Sequence, residues 1–159
     1  MPKKAALIVL ALALVGIGGG PAIADQPVAD SLQQEVDDAL ARYPGGVQVS
    51  PTTVSWEDGA VLLTFPSATD RAIGTCATGS YCVFSGTRYG GTRLAFTGCS
   101  ATTTSNSVSS LNSAVRSVAN ARTSGTVRVM DGITVVHALT ANAGLASNTA
   151  AVTALSCTT

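Results

Sequence analysis

The sequence contains little charge and few aromatic rings. Charged residues make up 11% of the 159 positions and aromatic residues 4%, with a single His and a single Trp. Lys3 and Lys4 are the only lysines, so the chain beyond position 24 carries seven arginines against nine acidic residues. This slightly acidic balance argues against nucleic acids and anionic membranes as partners, because a basic surface supplies most of the affinity for both.

Residues that could carry hydrolytic chemistry are also scarce. A nucleophile needs a neighbouring base and an orienting group, and His137 is the only imidazole. It follows two valines in a predicted strand, where we expect a partly buried strand position or the replacement of a turn glycine. A glycosidase needs two carboxylates, but Asp131 is the only acidic residue after position 73. The sequence therefore predicts a protein that is not an enzyme and uses no cofactor.

The first residues have the pattern of a secretory signal peptide. Lys3 and Lys4 precede an apolar run over residues 5–17, and the small-residue motif Ala-Ile-Ala at 22–24 provides a cleavage site. The apolar run is too short to span a bilayer, which needs about 20 residues. We therefore expect residues 1–24 to be removed, leaving a secreted, extracellular protein that does not associate with membranes.

Four cysteines behind a signal peptide indicate two disulfides. Three pairings are possible. Cys76 and Cys82 are so close in the sequence that we pair them, which leaves Cys99 with Cys157. The cysteine spacings match no zinc pattern, so we expect no metal site there.

Residues 25–73 are predicted to form an extension made of a helix and a β-hairpin. Apolar residues recur at helical spacing over residues 28–43, and Asp30 or Ser31 can cap the helix. Two strands follow, one around Trp56 and one over residues 60–65, joined by a Glu-Asp-Gly turn. We expect Trp56 to anchor the core rather than to bind a ligand, and residues 66–75 to form a linker.

From Cys76 onward the pattern is all β. Strand-like segments are residues 81–85, 92–97, 126–130, 134–139 and 151–155. The polar stretch 99–113 is too long for a tight turn and is predicted to be a surface loop. Val-Phe-Ser-Gly at 83–86 and Val-Met-Asp-Gly at 129–132 form a weak internal repeat, which indicates two copies of a four-strand unit.

The spacing of Phe84, Tyr89 and Gly91 predicts a hairpin that folds back onto its own sheet. The two rings can stack across the bend, which contributes about 0.5–1.5 kcal/mol beyond burial. Gly91 is expected at a positive φ, which a residue with a Cβ adopts only at a cost. The pattern therefore has a role in folding rather than in catalysis.

This pattern resembles the Greek-key signature of βγ-crystallins. Together with the cysteine motif at 76–82, it is similar to the secreted actinobacterial metalloproteinase-inhibitor family. The segment 115–120, running on to 127–129, also resembles the strand that joins the two Greek keys in that family. The resemblance covers residues 74–157. It implies a mainly β fold, with a βγ-crystallin-like double Greek-key β-sandwich over residues 74–159 preceded by the helix and hairpin.

The resemblance also implies a function, inhibition of an extracellular metalloprotease by a loop inserted in its active cleft. The expected contacts are Gly132, Ile133, Thr134, Val135 and Val136. The alternative interpretation of this run is an ordinary buried strand. In the inhibitor that names the family a local cysteine pair braces the loop, whereas residues 131–142 here contain no cysteine.

The second Greek key is also degenerate, with Met130, Val135 and His137 in place of its two aromatics and its glycine.

Calcium binding is the other activity that the crystallin resemblance implies. The motif requires hard oxygen ligands, but the segment 112–117 keeps only Asn112 and Ser117 at its first and last positions, and Arg116 places a cation beside them. We therefore expect no tight metal site. The alternative function is a non-inhibitory βγ-crystallin-type structural module, or a weak calcium-binding one, of the exoproteome. A monomer is expected in either case.

Overall fold

The computed structural model describes residues 26–66, 76–99 and 105–159. The predicted signal peptide, residues 1–24, lies outside these ranges, and so does most of the predicted linker after Pro66. The described part is mainly β, with two antiparallel sheets and one N-terminal helix, as the sequence predicts.

Helix α1 (Gln26–Arg42) begins before the predicted start, so neither Asp30 nor Ser31 is its N-cap. Pro44 follows its last turn and cannot continue the helix. Its apolar stripe buries Val36 and Ala39. Among the described residues, neither this helix nor any other is long and apolar enough to cross a membrane.

The extension contains the predicted hairpin, in which two strands pair antiparallel across the Glu57–Gly59 turn, and one further strand that was not predicted. The three strands are β1 (Val47–Ser50), β2 (Thr53–Trp56) and β3 (Val61–Thr64). Strand β1 was missed because its valines do not mark a buried face: Val47 and Val49 are 64% and 58% exposed. The extension does not form a separate layer. Strand β3 pairs with a strand of the following domain, Arg93–Phe96, so the three strands belong to the same sheet as that strand.

Eight further strands follow Cys76. They are β4 (Tyr81–Phe84), β5 (Arg93–Phe96), β6 (Ser105–Ser107), β7 (Ser117–Asn120), β8 (Thr126–Asp131), β9 (Thr134–Thr140), β10 (Ala143–Leu145) and β11 (Ala154–Thr158). The predicted loop 99–113 thus contains β6, and the last strand starts later than its predicted position at residue 151. Strand β10 was also missed. Both missed strands are three residues long and lack large β-branched side chains, so they give little pattern.

The two sheets exchange one strand each. The seven-stranded sheet has the order β1-β2-β3-β5-β4-β7-β10, and the four-stranded sheet has the order β6-β11-β8-β9. Strands β4, β5 and β7 therefore share a sheet with β10 from the second half of the domain. Strands β8, β9 and β11 share the other sheet with β6 from the first half. Neighbouring strands in both sheets pair antiparallel.

The core lies between the inner faces of the two sheets. Buried members from the first sheet include Tyr81, Val83, Leu94, Phe96 and Val118, and from the second sheet Val127, Val129, Leu155 and Cys157. Trp56 is half-buried and packs against this cluster, and its indole N–H donates to the Tyr43 carbonyl at 2.9 Å. Its position agrees with the anchoring role predicted from the sequence.

The structure contains the two disulfides that the sequence predicts. Cys76 is bonded to Cys82 and Cys99 to Cys157, with Cα–Cα distances of 5.8 Å and 5.7 Å. The first joins the segment before β4 to Cys82 within β4 and closes a short loop. The second joins the end of β5 to β11, so it ties the two sheets together.

Candidate functional site

The β4–β5 turn folds back onto its own sheet. Phe84 is fully buried, and Tyr89 packs against it with the ring centroids 5.7 Å apart and the ring planes at 70°. Gly91 has a φ of 77°, and a Cβ there would overlap the Ser85 hydroxyl. These three residues lie in the arrangement that their spacing predicts.

Ser117 fastens this turn to the neighbouring strand β7. Its buried hydroxyl donates to the Gly86 carbonyl at 2.6 Å and accepts from the Tyr89 amide at 2.9 Å. The side chain therefore has a structural role that the sequence did not reveal.

The remaining positions of the calcium motif do not fit a calcium ion. The Ser117 hydroxyl is engaged by Gly86 and Tyr89, and Asn112 is exposed in a left-handed conformation (φ 52°). Among the described residues, no group of three or more His, Cys, Asp or Glu side chains could hold a metal ion. Calcium takes six to eight oxygen ligands, and of the two positions that keep the motif, Ser117 already uses its hydroxyl within the fold.

A buried asparagine, Asn148, connects the two halves of the domain by hydrogen bonds. Asn148 is 2% exposed, and its amide donates to the carbonyls of Val115 (2.9 Å) and Ala150 (2.8 Å). Its backbone N–H donates to the Arg116 carbonyl at 2.7 Å. Nε2 of His137 lies 3.2 Å from Oδ1 of Asn148, so the only imidazole is a half-buried strand residue with an amide partner.

Two clefts lie between α1 and the β domain, and Tyr43 lines both of them. The Tyr43 hydroxyl donates to the Ser109 carbonyl at 2.5 Å. The volumes of the clefts are about 460 Å³ and 550 Å³. Among the described residues that line them there is no histidine and no cysteine. The carboxylates at their rims, Glu35, Asp38 and Glu57, are all exposed. The clefts therefore lack the nucleophile–base arrangement that hydrolysis requires.

The most exposed large apolar side chain of the described residues lies at the tip of the β8–β9 hairpin. Asp131 pairs with Thr134, which leaves Gly132 and Ile133 as a two-residue turn. Gly132 has a φ of 59°, as the first central residue of a type II′ turn does. Ile133 is 96% exposed.

The five predicted contact residues therefore do not form a buried strand, but they do not all face solvent either. Gly132, Ile133, Thr134 and Val135 are exposed, and Val135 is 46% exposed. Val136 is half-buried and packs against the core. The register of β8 and β9 shifts there, because Val129 pairs with His137 and Met130 with Val135, leaving Val136 without an opposite residue. This bulge separates the exposed tip from the buried part of the hairpin.

Tyr81 is the described residue whose titration is changed most clearly by the fold. Burial raises the pKa of its phenol above the ordinary value of 10.0, and the hydrogen bond from Asn106 and the charge of Arg122 oppose this shift. The hydroxyl donates to the Gly98 carbonyl at 3.0 Å, close to the Cys99–Cys157 disulfide. Tyr81 lies in the seven-stranded sheet, whereas the hairpin tip belongs to the four-stranded sheet, and the Tyr81 side chain is part of the core.

Comparison with known proteins points to the same family as the motifs. No curated protein and no solved structure shows significant similarity to the chain. The model of peptidase inhibitor family I36 matches residues 69–135, a range that includes the folded turn at Phe84 and extends to the hairpin tip at Ile133. Members of a peptidase inhibitor family are not enzymes, which agrees with the prediction from composition. Over this range the chain thus carries the sequence pattern of peptidase inhibitor family I36, which confirms the predicted family resemblance and supports a peptidase inhibitor.

Proposed function

We propose that the protein inhibits an extracellular metalloprotease of the thermolysin type by inserting the tip of the β8–β9 hairpin into the active cleft. The observation that carries this proposal is the 96% exposure of Ile133 on a two-residue turn. Contact between an isoleucine side chain and water is unfavourable. Its burial in an apolar pocket of the protease would therefore favour binding by about 1.5–3 kcal/mol. Thermolysin-like proteases accept bulky apolar residues after the scissile bond, so Ile133 is the proposed anchor.

The hairpin geometry supports this mechanism. A substrate-like inhibitor binds tightly when its loop is already ordered, because little conformational entropy is then lost on binding. Paired strands and a two-residue turn hold the tip. Val135 is exposed beside it and can extend the contact, whereas Val136 packs against the core and is no longer a proposed contact.

Several broader predictions remain part of this proposal. The exchange of β6 and β10 between the sheets supports a double Greek key of the βγ-crystallin type. The two disulfides are consistent with secretion. The domain would then act outside the cell as a monomer, after removal of residues 1–24.

A titration of the mature chain against a thermolysin-type protease tests the proposal. We expect stoichiometric loss of peptidase activity at micromolar inhibitor or below, and no loss with a trypsin-like serine protease as a control, because Ile133 does not suit a pocket for basic residues. Full peptidase activity at micromolar concentrations of the chain would refute the proposal. A calcium-dependent rise in melting temperature, beyond that in magnesium, would instead favour the crystallin-type module.

A further inference from the structure

The hairpin tip is held by a residue that is distant in the sequence. The Gly132 amide donates to the hydroxyl of Thr153 at 2.8 Å. The same hydroxyl donates to the Met130 carbonyl at 3.3 Å, and the Thr153 amide donates to that carbonyl at 2.8 Å. A threonine hydroxyl can accept and donate at the same time, so one side chain bridges the last residues of β8 and the turn.

Thr153 is itself well anchored. Its carbonyl accepts a hydrogen bond from the Val108 amide at 3.1 Å. The next residue, Ala154, begins β11 and lies opposite Met130 on one side and Ser107 on the other. Strand β11 also carries Cys157, which is bonded to Cys99. The hydroxyl that holds the tip is therefore attached to the central part of the second sheet.

We propose that Thr153 is a positioning residue for inhibition, a role that rests on the proposed function of the hairpin tip. Its hydroxyl fixes the backbone of Gly132 and so fixes the direction in which Ile133 projects. Residues 131–142 contain no cysteine, so the tip has no disulfide of its own. The Thr153 hydrogen bonds restrict the tip in place of a covalent link.

A substitution at Thr153 can change the order of the hairpin tip without changing the stability of the fold. Thr153 is exposed, and Thr153→Val keeps its branched shape while removing the acceptor for the Gly132 amide. The fold should therefore persist while the tip becomes less ordered. Thr153→Val removes both hydrogen bonds of the hydroxyl, so the tip must become ordered when it binds the protease. We expect this to raise the inhibition constant about tenfold.

The test compares the wild-type chain with Thr153→Val, Thr153→Ser and Thr140→Val. Thr140 is an exposed threonine at the other end of β9, so its substitution is the matched control for loss of a hydroxyl. For each protein, we would measure the inhibition constant and dissociation rate against the thermolysin-type protease, the melting temperature, and the hydrogen-exchange rate of the Gly132 amide in the free chain. We expect faster exchange and faster dissociation only for Thr153→Val, with recovery in Thr153→Ser and similar melting temperatures throughout.

Each outcome decides a separate question. If the wild-type chain inhibits and Thr153→Val inhibits equally well, positioning by Thr153 is refuted while the proposed function stands. If the wild-type chain does not inhibit, the proposed function fails, and positioning for inhibition fails with it. The exchange rate of the Gly132 amide distinguishes the two cases, because it shows whether Thr153 orders the tip without any protease present. An unchanged exchange rate in Thr153→Val would also overturn the inference.

Discussion

The rings of Phe84 and Tyr89 meet edge to face across the β4–β5 turn, with their centroids 5.7 Å apart. Tyr89 has a φ of 62° and covers Phe84, which is fully buried although it lies on the outer face of the first sheet. The Tyr89 hydroxyl also lies over Gly144 in β10, where a Cβ would overlap it. One folded turn thus connects β4 to the strand that the second half contributes.

Removal of the Tyr89 ring should destabilise the domain. We expect Tyr89→Ala to lower the free energy of unfolding by about 2–3 kcal/mol, because it uncovers Phe84 and deletes an aromatic pair. Tyr89→Phe keeps the ring and should cost less than about 1 kcal/mol. Urea unfolding of both variants measures the difference. Equal stabilities of Tyr89→Ala and the wild-type chain would show that the folded turn contributes nothing to stability.

Substitution should be tolerated less well at Gly91 than at Gly79. Both residues have a positive φ, but only Gly79 has free space where a Cβ would lie. At Gly91 (φ 77°), a Cβ would overlap the Ser85 hydroxyl and lie 3.0 Å from the Gly86 nitrogen. At Gly79 (φ 89°), a Cβ would meet nothing within 4 Å. We expect Gly79→Ala to cost about 1 kcal/mol from backbone strain alone and Gly91→Ala about 2–3 kcal/mol. Thermal unfolding of the two variants checks this order, and a reversed order would contradict it.

The two disulfides should differ in their contribution to stability. Cys99–Cys157 has a sequence separation of 58 and Cys76–Cys82 a separation of 6. Loop-closure entropy then predicts about 4 kcal/mol for the long bridge and about 2 kcal/mol for the short one. Paired Cys→Ala variants, unfolded in urea, measure the two values. A larger loss on removal of the short bridge would contradict this explanation.

Stability should fall at alkaline pH because of Tyr81. Burial raises the pKa of its phenol in the folded state above the ordinary value of 10.0. The folded chain therefore binds this proton more tightly than the unfolded chain, and the contribution to stability is present below pH 10 and lost as the pH rises through the folded-state pKa. The free energy of unfolding should decline as the pH rises above about 10, and the decline should be shallower in Tyr81→Phe. Identical slopes would assign the decline to other groups.

Much of the fold could be predicted because its main signals are local. The 3.6-residue period identified α1, and alternating apolar residues identified β4, β5, β8 and β9. The cysteine spacing was enough for the two disulfides. Strands β1, β6 and β10 were not found because they are short, and their side chains do not distinguish a buried face from an exposed one.

The candidate site could be predicted only in part. The resemblance directed attention to residues 132–136, and the structure places Ile133 at an exposed tip but packs Val136 against the core. Thr153 and Asn148 were missed because their partners are distant in the chain: Thr153 contacts Gly132 across 21 residues and Asn148 contacts Val115 across 33. Hydrogen bonds between distant residues produce no periodic pattern in the sequence. Because Ser and Thr are abundant in this chain, the sequence also does not indicate which of them make structural hydrogen bonds.

The central claim is that the hairpin tip makes the contact with the protease. The most direct measurement is the inhibition constant of Ile133→Asp against the thermolysin-type protease, beside Val47→Asp as a matched control. Both positions are exposed, so both variants should fold, but Val47 lies on the outer edge of the other sheet. We predict that Ile133→Asp weakens inhibition at least about 100-fold, because an ionised carboxylate in an apolar pocket is strongly disfavoured, while Val47→Asp inhibits like the wild-type chain. Equal inhibition by Ile133→Asp and the wild-type chain would contradict the account.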